Sequence, residues 1–551
     1  MNTDIHYSKP SSRDQLTRRQ VLKLGLATGG ASLLGWKVIR NAMADDNGGR
    51  GDSGSGVLRP SPATRPFLAD LPSPAPPQPV APFQLGSIPP FHQRIDEFPP
   101  RKFYDIRMRE ALHTFHPDLP PTRVWGYNGL VPGPTFMERY GVPILVRFRN
   151  DLPPNHVGFG IPSTIVHQHG GHTASESDGF PLDFVGPGQF RDHHYPNILP
   201  GNDPAETESN LWYHDHRVDF TAPNVYRGLA GFYILFDDVD SGDETDPNPE
   251  ALRLPSGPFD IPLVVQDKQF DPLGQLTFDE FSFDGFLGDK PVVNGIIQPR
   301  LRVARRKYRF RFLDAANSRF FQFFLSSGQP FIQIGTGAGL FPRPLRRESF
   351  LIAPAQRVDV VVDFSHARIG DQIFLLNRLE QVTGRGPTFK LLDPGTPMVR
   401  FDVDRDAPDP SRVPDFLRAL PAINLQEVRV RRLWEFERSN GAWQVNGRFF
   451  EGNRVDAMPQ RGSAEIWTLR NKSGGWSHPI HIHLEPFQVL SSNLGPLTPD
   501  QMGKKDVIIL RPNEELKVFL RFRTFLGRYP MHCHNTVHED HAMMVRWDVV
   551  P

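Results

Sequence analysis

At 551 residues the chain is too long for one ordinary core, so several domains are expected. Proline (56) and glycine (47) are abundant, helix-period stretches are few, and short Val/Ile/Phe runs lie between Pro/Gly turns, which predicts an all-β protein. The formal charge is zero, but residues 1–44 carry seven Lys/Arg and two Asp/Glu, leaving 55 basic and 60 acidic residues in the remainder; nothing there points to a nucleic-acid or anionic-membrane partner.

Near the N-terminus stand Thr17-Arg18-Arg19-Gln20-Val21-Leu22-Lys23, a mildly apolar stretch from Leu24 to Trp36, and Ala42-Met43-Ala44 as a cleavage site. Residues 1–44 thus resemble a twin-arginine export leader, which implies the Tat machinery as a partner and a periplasmic or secreted protein. The apolar run is too short and Gly-rich to span a bilayer, and no other segment is apolar enough, so no stable membrane insertion is expected. Residues 45–88 read as a Gly/Pro-rich tether that ends in an extended, wrapping arm.

A weak repeat follows. Asn128-Gly129, Asn294-Gly295 and Asn446-Gly447 recur at spacings of 166 and 152 residues. A strand-like basic run follows each, such as Tyr308-Arg309-Phe310-Arg311-Phe312. Asn-Gly is a turn signal, and the alternation after it is that of a half-buried strand. Three related β domains are expected, over 89–250, 251–408 and 409–551.

Four histidine clusters stand out: His167-Gln168-His169, His214-Asp215-His216, His478-Pro479-Ile480-His481-Ile482-His483, and His532-Cys533-His534 with His538 and Met543. They hold ten of the chain's 20 histidines and its only cysteine. One cysteine excludes an internal disulfide, and an unpaired cysteine in an exported protein calls for another use, such as metal ligation. On a strand, His-x-His puts both rings on one face roughly 6–7 Å apart. In His532-Cys533-His534 the same alternation sends Cys533 one way and both histidines the other. A thiolate, two imidazoles and a weak thioether form the ligand set of a blue copper site. The flanking histidines are then free to serve a second cluster behind it. Two clusters precede residue 220 and two follow residue 477, so a shared site belongs at a domain interface.

In order and spacing the four motifs resemble those of the multicopper oxidases, in particular the branch of spore-coat laccases and bilirubin oxidases. The resemblance covers roughly residues 90–551 and implies three cupredoxin-like Greek-key β-sandwich domains. It implies four copper ions, one blue and three clustered. Carried over, His478, Cys533, His538 and Met543 hold the blue copper. His167 and His481 hold the single copper of the cluster. His169, His214, His216, His483, His532 and His534 hold the coupled pair. Met544 is a rival axial ligand that alternation sends to the opposite face, into the core. Gln168 departs from the aromatic or aliphatic residue of many relatives. His172, His193, His194 and His541 read as surface or supporting residues, and the middle domain holds only His366 and serves to space the outer two and shape a cleft.

The implied activity couples one-electron oxidation of a phenolic or other aromatic reductant to four-electron reduction of dioxygen to water. Cys533 and His478 carry the electron, which enters at an exposed edge of His478. Pro479 is read as interrupting the strand so that His478 turns away from His481 and His483. Glu539 and Asp178 are the proton-delivery candidates, and Asp215 reads as structural. The alternatives are a metallo-oxidase for Mn(II), Fe(II) or Cu(I), and a copper-resistance protein that binds without turnover. No Met-rich insertion is visible.

Overall fold

The computed structural model describes residues 59–86, 93–439 and 441–551. The leader read in residues 1–44 and the first part of the tether, 45–58, lie outside the described residues.

The strands pair into six sheets among the described residues, and these stack in three sandwiches. In the first, strands Thr122–Tyr127, Lys102–His113, Ile144–Asn150 and Phe190–Tyr195 form one sheet. Phe136–Arg139, Ala230–Phe236, Asn210–Asp215 and Val166–His169 form the other. Their shared core includes Tyr104, Ile106 and Phe148 from one face and Phe136, Tyr213 and Tyr233 from the other. A seven-stranded and a five-stranded sheet make the middle sandwich, whose core is dominated by Phe and Val. The third pairs a six-stranded sheet with a four-stranded one, Val507–Leu510, His478–Ile482, Gly527–Cys533 and Met544–Val549. Its core holds four of the buried tryptophans, Trp434, Trp443, Trp467 and Trp547.

The repeat is real in three dimensions. Asn128, Asn294 and Asn446 all have positive φ (56°, 47° and 52°), as do the glycines after them. Positive φ at both central residues is the type I′ hairpin geometry that matches strand twist. Each asparagine also reaches back to the first strand of its sandwich. Its Oδ1 accepts from the backbone N–H of Arg107, Val264 or Glu435 at 2.7–2.9 Å. The first strand then pairs in parallel with the basic strand that follows the turn: Lys102–His113 with Ile144–Asn150, Asp260–Lys268 with Lys307–Asp314, Val428–Ser439 with Ser463–Asn471.

Residues 59–86 are extended and strap two sandwiches together. Ser61 binds Asp289 through N and Oγ, Asp70 bridges Arg300 at a sheet edge, and Val80 N–H donates to Phe103 O at 2.8 Å. Three short helices matter for the site: α1 (Ser175–Asp178), α2 (Thr221–Arg227) and α3 (Thr536–Asp540). Among the described residues no helix is long and apolar enough to cross a membrane.

Candidate metal centre

Strand pairing brings the histidine motifs face to face. His167 lies opposite His214 in the first sandwich. In the third, His481 lies opposite His532, and Ile480 opposite Cys533. The face that carries His481 and His532 meets the one that carries His167 and His169, where the two sandwiches abut. Pro479 does not interrupt its strand, which runs from His478 to Ile482 with Pro479 opposite Ile509. Residues 478 and 481 are an odd number apart, so plain alternation already separates them.

Eight imidazoles converge in this seam, all buried. His167 Nε2 lies 3.3 Å from His481 Nε2. His483 Nε2 lies 3.3 Å from His216 Nε2 and 3.2 Å from His532 Nε2. Three groups have ligand atoms within 4.8 Å of one another: His167, His169 and His481; His169, His214 and His534; His216, His483 and His532. On most rings the other nitrogen is tied down. His167 Nδ1 donates to Asp178 O (2.5 Å), His481 Nδ1 to Asp506 O (2.8 Å), His214 Nδ1 to Asp215 O (2.8 Å) and His483 Nδ1 to Asp178 Oδ2 (2.7 Å). Such bonds fix the tautomer and aim the Nε2 lone pair into the gap.

The fourth group is His478, Cys533 and His538. Both Nδ1 atoms face Cys533 Sγ, at 3.5 and 3.6 Å, and lie 3.2 Å apart. Met543 packs in the same core, and Cys533 N–H donates to its carbonyl. Met544 joins a separate cluster with Phe180, Val218 and Phe450. His538 and Glu539 lie on α3, about 100° apart around the helix. His538 therefore turns to Cys533, while Glu539 spans His216 Nδ1 and His532 Nδ1 at 3.0 Å each.

The expected exposed edge of His478 is absent. His478 is fully buried, and its Nε2–H donates to Ser473 Oγ at 2.7 Å, which in turn donates to Asn471 Oδ1. His538 is closed by the middle sandwich, where Asp284 O accepts from its Nε2 at 3.0 Å, and by Trp443, whose ring lies 4.0 Å away. Asp178 is buried on α1. Asp215 accepts from Ile165 N and Asn224 Nδ2, a structural role. His172, His193 and His194 are buried rather than on the surface, and each bonds a main-chain carbonyl.

Burial, reinforced by neighbouring imidazoles, holds His167, His169, His481, His483 and His534 well below the ordinary histidine range, and takes His214 to about 3. Neutral rings with free lone pairs result. Burial pushes the Cys533 thiol well above 9, so a thiolate persists here only beside a bound cation. Burial also drives Asp178 up, with nothing offsetting it. It pushes Glu539 the same way, but His532 and His216 outweigh it and bring that carboxyl well below 4.5.

The donor set fits soft, imidazole-loving metal ions. Both ring nitrogens of His169 and of His534, and Nε2 of His214, are buried with no hydrogen-bond partner. Orphaned lone pairs on this scale carry a large desolvation cost unless a cation meets them.

Family models described as multicopper oxidase match residues 112–240 and 423–551. A bilirubin oxidase from Albifimbria verrucaria is 37% identical over 463 residues, covering 81% of this chain and 76% of that protein. The chain belongs to the multicopper oxidases. A laccase from Bacillus subtilis is 34% identical, covering 82% of the oxidase and 94% of that protein. A crystal structure of a laccase from Pediococcus acidilactici matches with a TM-score of 0.74 at 26% identity, covering 90% of this chain and 95% of that one. The oxidase is thus a copper-dependent oxidoreductase that uses dioxygen as its acceptor.

Two residues beside the cluster escaped the sequence reading. Asp506 Oδ2 lies 3.6 Å from His169 Nε2, and its carbonyl holds His481. Arg357, from the middle sandwich, grips the Asp506 carboxylate at 2.5 and 3.1 Å. The only trace in the chain is the charged triplet Lys504-Lys505-Asp506 ahead of an apolar strand.

Proposed function

We propose that His478, Cys533, His538 and Met543 hold one copper of the oxidase. His167 and His481 hold a second, and His169, His214, His216, His483, His532 and His534 hold the remaining two. When bound, these ions supply one-electron acceptance and the four-electron reduction of dioxygen to water. The rest is the chain's work. The segment 532–534 carries the reading: one stretch of backbone presents Cys533 to one group and its neighbours to the other. That gives a covalent connection two residues long between the centres. Burial of all twelve nitrogen and sulfur donors keeps water and protons from competing for the lone pairs.

Asp178 and Glu539 hold protons at opposite ends of the cluster. Glu539 lies 3.0 Å from Nδ1 of both His216 and His532, and Asp178 Oδ2 accepts from His483 Nδ1 while its Oδ1 has no hydrogen-bond partner. Carboxyl groups on either side suit a reaction that takes up four protons. The reductant is a phenol or another aromatic, a reading supported by the relatives named laccase and bilirubin oxidase. The twin-arginine pattern of residues 17–23 and the absence of disulfide-forming cysteines fit export of the folded oxidase to the periplasm or beyond.

The test is Cys533→Ser. The parent should bind four coppers, show an intense thiolate-to-copper absorption and take up oxygen with a phenol. The variant should lose the colour and at least about 10³-fold in turnover, with an unchanged far-ultraviolet dichroism spectrum. Phenol oxidation by the variant at the parent rate overturns the assignment.

A further inference from the structure

His478 and His538 face Cys533 alike, with their Nδ1 atoms 3.5 and 3.6 Å from Sγ, yet their outer nitrogens end differently. His538 Nε2 meets a main-chain carbonyl, Asp284 O at 3.0 Å. His478 Nε2 meets a side chain, Ser473 Oγ at 2.7 Å, and that hydroxyl lies 2.6 Å from Asn471 Oδ1. One imidazole of the pair is therefore set by the main chain and the other by two side chains.

The direction of these hydrogen bonds follows from their far end. Asn471 closes the strand Ser463–Asn471 and is buried. Its Nδ2 faces three carbonyls: Trp476 O at 2.7 Å, Arg511 O at 3.0 Å and Leu510 O at 3.2 Å. Its Oδ1 accepts from the Ser473 N–H at 3.0 Å. Turned over, the amide would set its oxygen against three carbonyl oxygens and its NH2 against an N–H, so one orientation alone is satisfied. Ser473 has a single hydroxyl proton, and Oγ without it would repel Asn471 Oδ1 at that distance. The proton therefore goes to Asn471, and Oγ has only lone pairs left for the ring. His478 must then carry its proton on Nε2 and turn a bare Nδ1 lone pair toward Cys533. The same amide holds the ring's surroundings, since Leu510 is the strand partner of His478 and Trp476 stands two residues before it.

We propose that Asn471 and Ser473 are positioning residues for the copper held at Cys533: they fix the tautomer of His478 and hold the reduction potential of that copper down. The proposal rests on the reading of His478, Cys533, His538 and Met543 as the ligands of one copper, and deepens it. A hydroxyl that donates is a better acceptor, because hydrogen bonds in series polarise one another. Ser473 Oγ thus draws the Nε2 proton outward and makes Nδ1 the stronger electron donor. A stronger imidazole donor favours the cupric over the cuprous ion. Of the two imidazoles beside Cys533, His478 is the one whose donor strength a side chain can change.

The experiment compares Ser473→Thr with Ser473→Val, two side chains of one shape with and without the hydroxyl. Valine also fills the space a replacement water would need. Each variant and the parent are loaded with copper, and the blue absorption is titrated against a redox mediator. At a fixed potential the ratio of cuprous to cupric ion should be about tenfold higher in Ser473→Val than in Ser473→Thr, a rise of about 59 mV. Ser473→Thr should stay near the parent. The copper hyperfine splitting in the electron-paramagnetic spectrum should change in Ser473→Val and return in Ser473→Thr. If the larger side chains keep the turn from forming, Ser473→Ala against the parent reads the same shift with the same sign. A blue band in every variant, with a potential in Ser473→Val or Ser473→Ala no higher than that of its hydroxyl-bearing counterpart, overturns the positioning role alone. A parent that takes up copper without a blue band overturns the ligand reading, and the positioning role with it.

Discussion

Lys268 is buried where the first and middle sandwiches meet. Its Nζ donates to Tyr226 O at 2.5 Å from a position over the Tyr226 ring. Desolvation lowers it from 10.5 to about 7, with only Asp267 working the other way. The folded state therefore releases this proton before the unfolded chain does. Between about pH 7 and 10.5 the unfolded chain binds more protons, so stability from this group rises with pH across that window. The slope is at most about 1.4 kcal/mol per pH unit. Lys268→Met removes the titration and leaves one carbonyl without its donor, which costs about 1 kcal/mol. The variant should be more stable than the parent at pH 6 and lose most of that advantage by pH 9. Denaturant midpoints at the two pH values check this, and a difference that does not change with pH sinks it.

At the scale of elements, α2 and α3 hold the outer sandwiches together over the cluster. Helix α2 has no cap of its own at Phe220. Asp540, the last residue of α3, supplies it from the other sandwich, accepting from Thr221 N at 2.9 Å and Ala222 N at 3.0 Å. A carboxylate there satisfies orphan donors and meets the positive end of the helix. Asp540→Ala should cost about 1–2 kcal/mol, and Asp540→Asn less, because an acceptor oxygen remains; an alanine variant as stable as the parent removes the cap from the account. The contact also marks where the sequence stops being legible. The paired motifs could be read because their members lie one to three residues apart on a strand or just past its end, where alternation fixes the facing of His532 and Cys533, whereas His538 lies on α3 and Met543 beyond it. The Asn-Gly turns could be read because their chemistry is local. Asp540 is 319 residues from Thr221, and α3 has five residues, too few for a periodic signal. The cap of Asp284 on His538 is tertiary in the same way, and that of Ser473 on His478 depends on a five-residue turn with no periodic signal, so an exposed His478 edge was expected and a sealed one was found.

For the whole molecule the open question is whether the middle sandwich only spaces the other two. Arg357 argues that it does more. From strand Arg357–Asp363 it reaches between the outer sandwiches, donating to Asn210 O at 2.5 Å in the first and to both oxygens of Asp506 in the third. Two glycines make room for it: a Cβ on Gly337 would lie 2.2 Å from the guanidinium, and one on Gly170, just after His169, would lie 2.8 Å from Nη2. All three sandwiches thus meet in one buried ion pair, which touches the cluster through His169 and His481. Truncating one partner of such a pair leaves the other charge buried and unpaired. Arg357→Met should cost about 3–5 kcal/mol. Because the Asp506 carbonyl holds His481 and its carboxylate lies beside His169, copper bound per molecule should also fall below the parent's. Adding Asp506→Asn to Arg357→Met removes the stranded charge and should return part of the stability. Metal analysis and unfolding midpoints on the parent, single and double variants separate the cases. A mere spacer would tolerate Arg357→Met within about 0.5 kcal/mol and keep its full copper. A structural member of the site would show the loss, and the partial return, in both measurements.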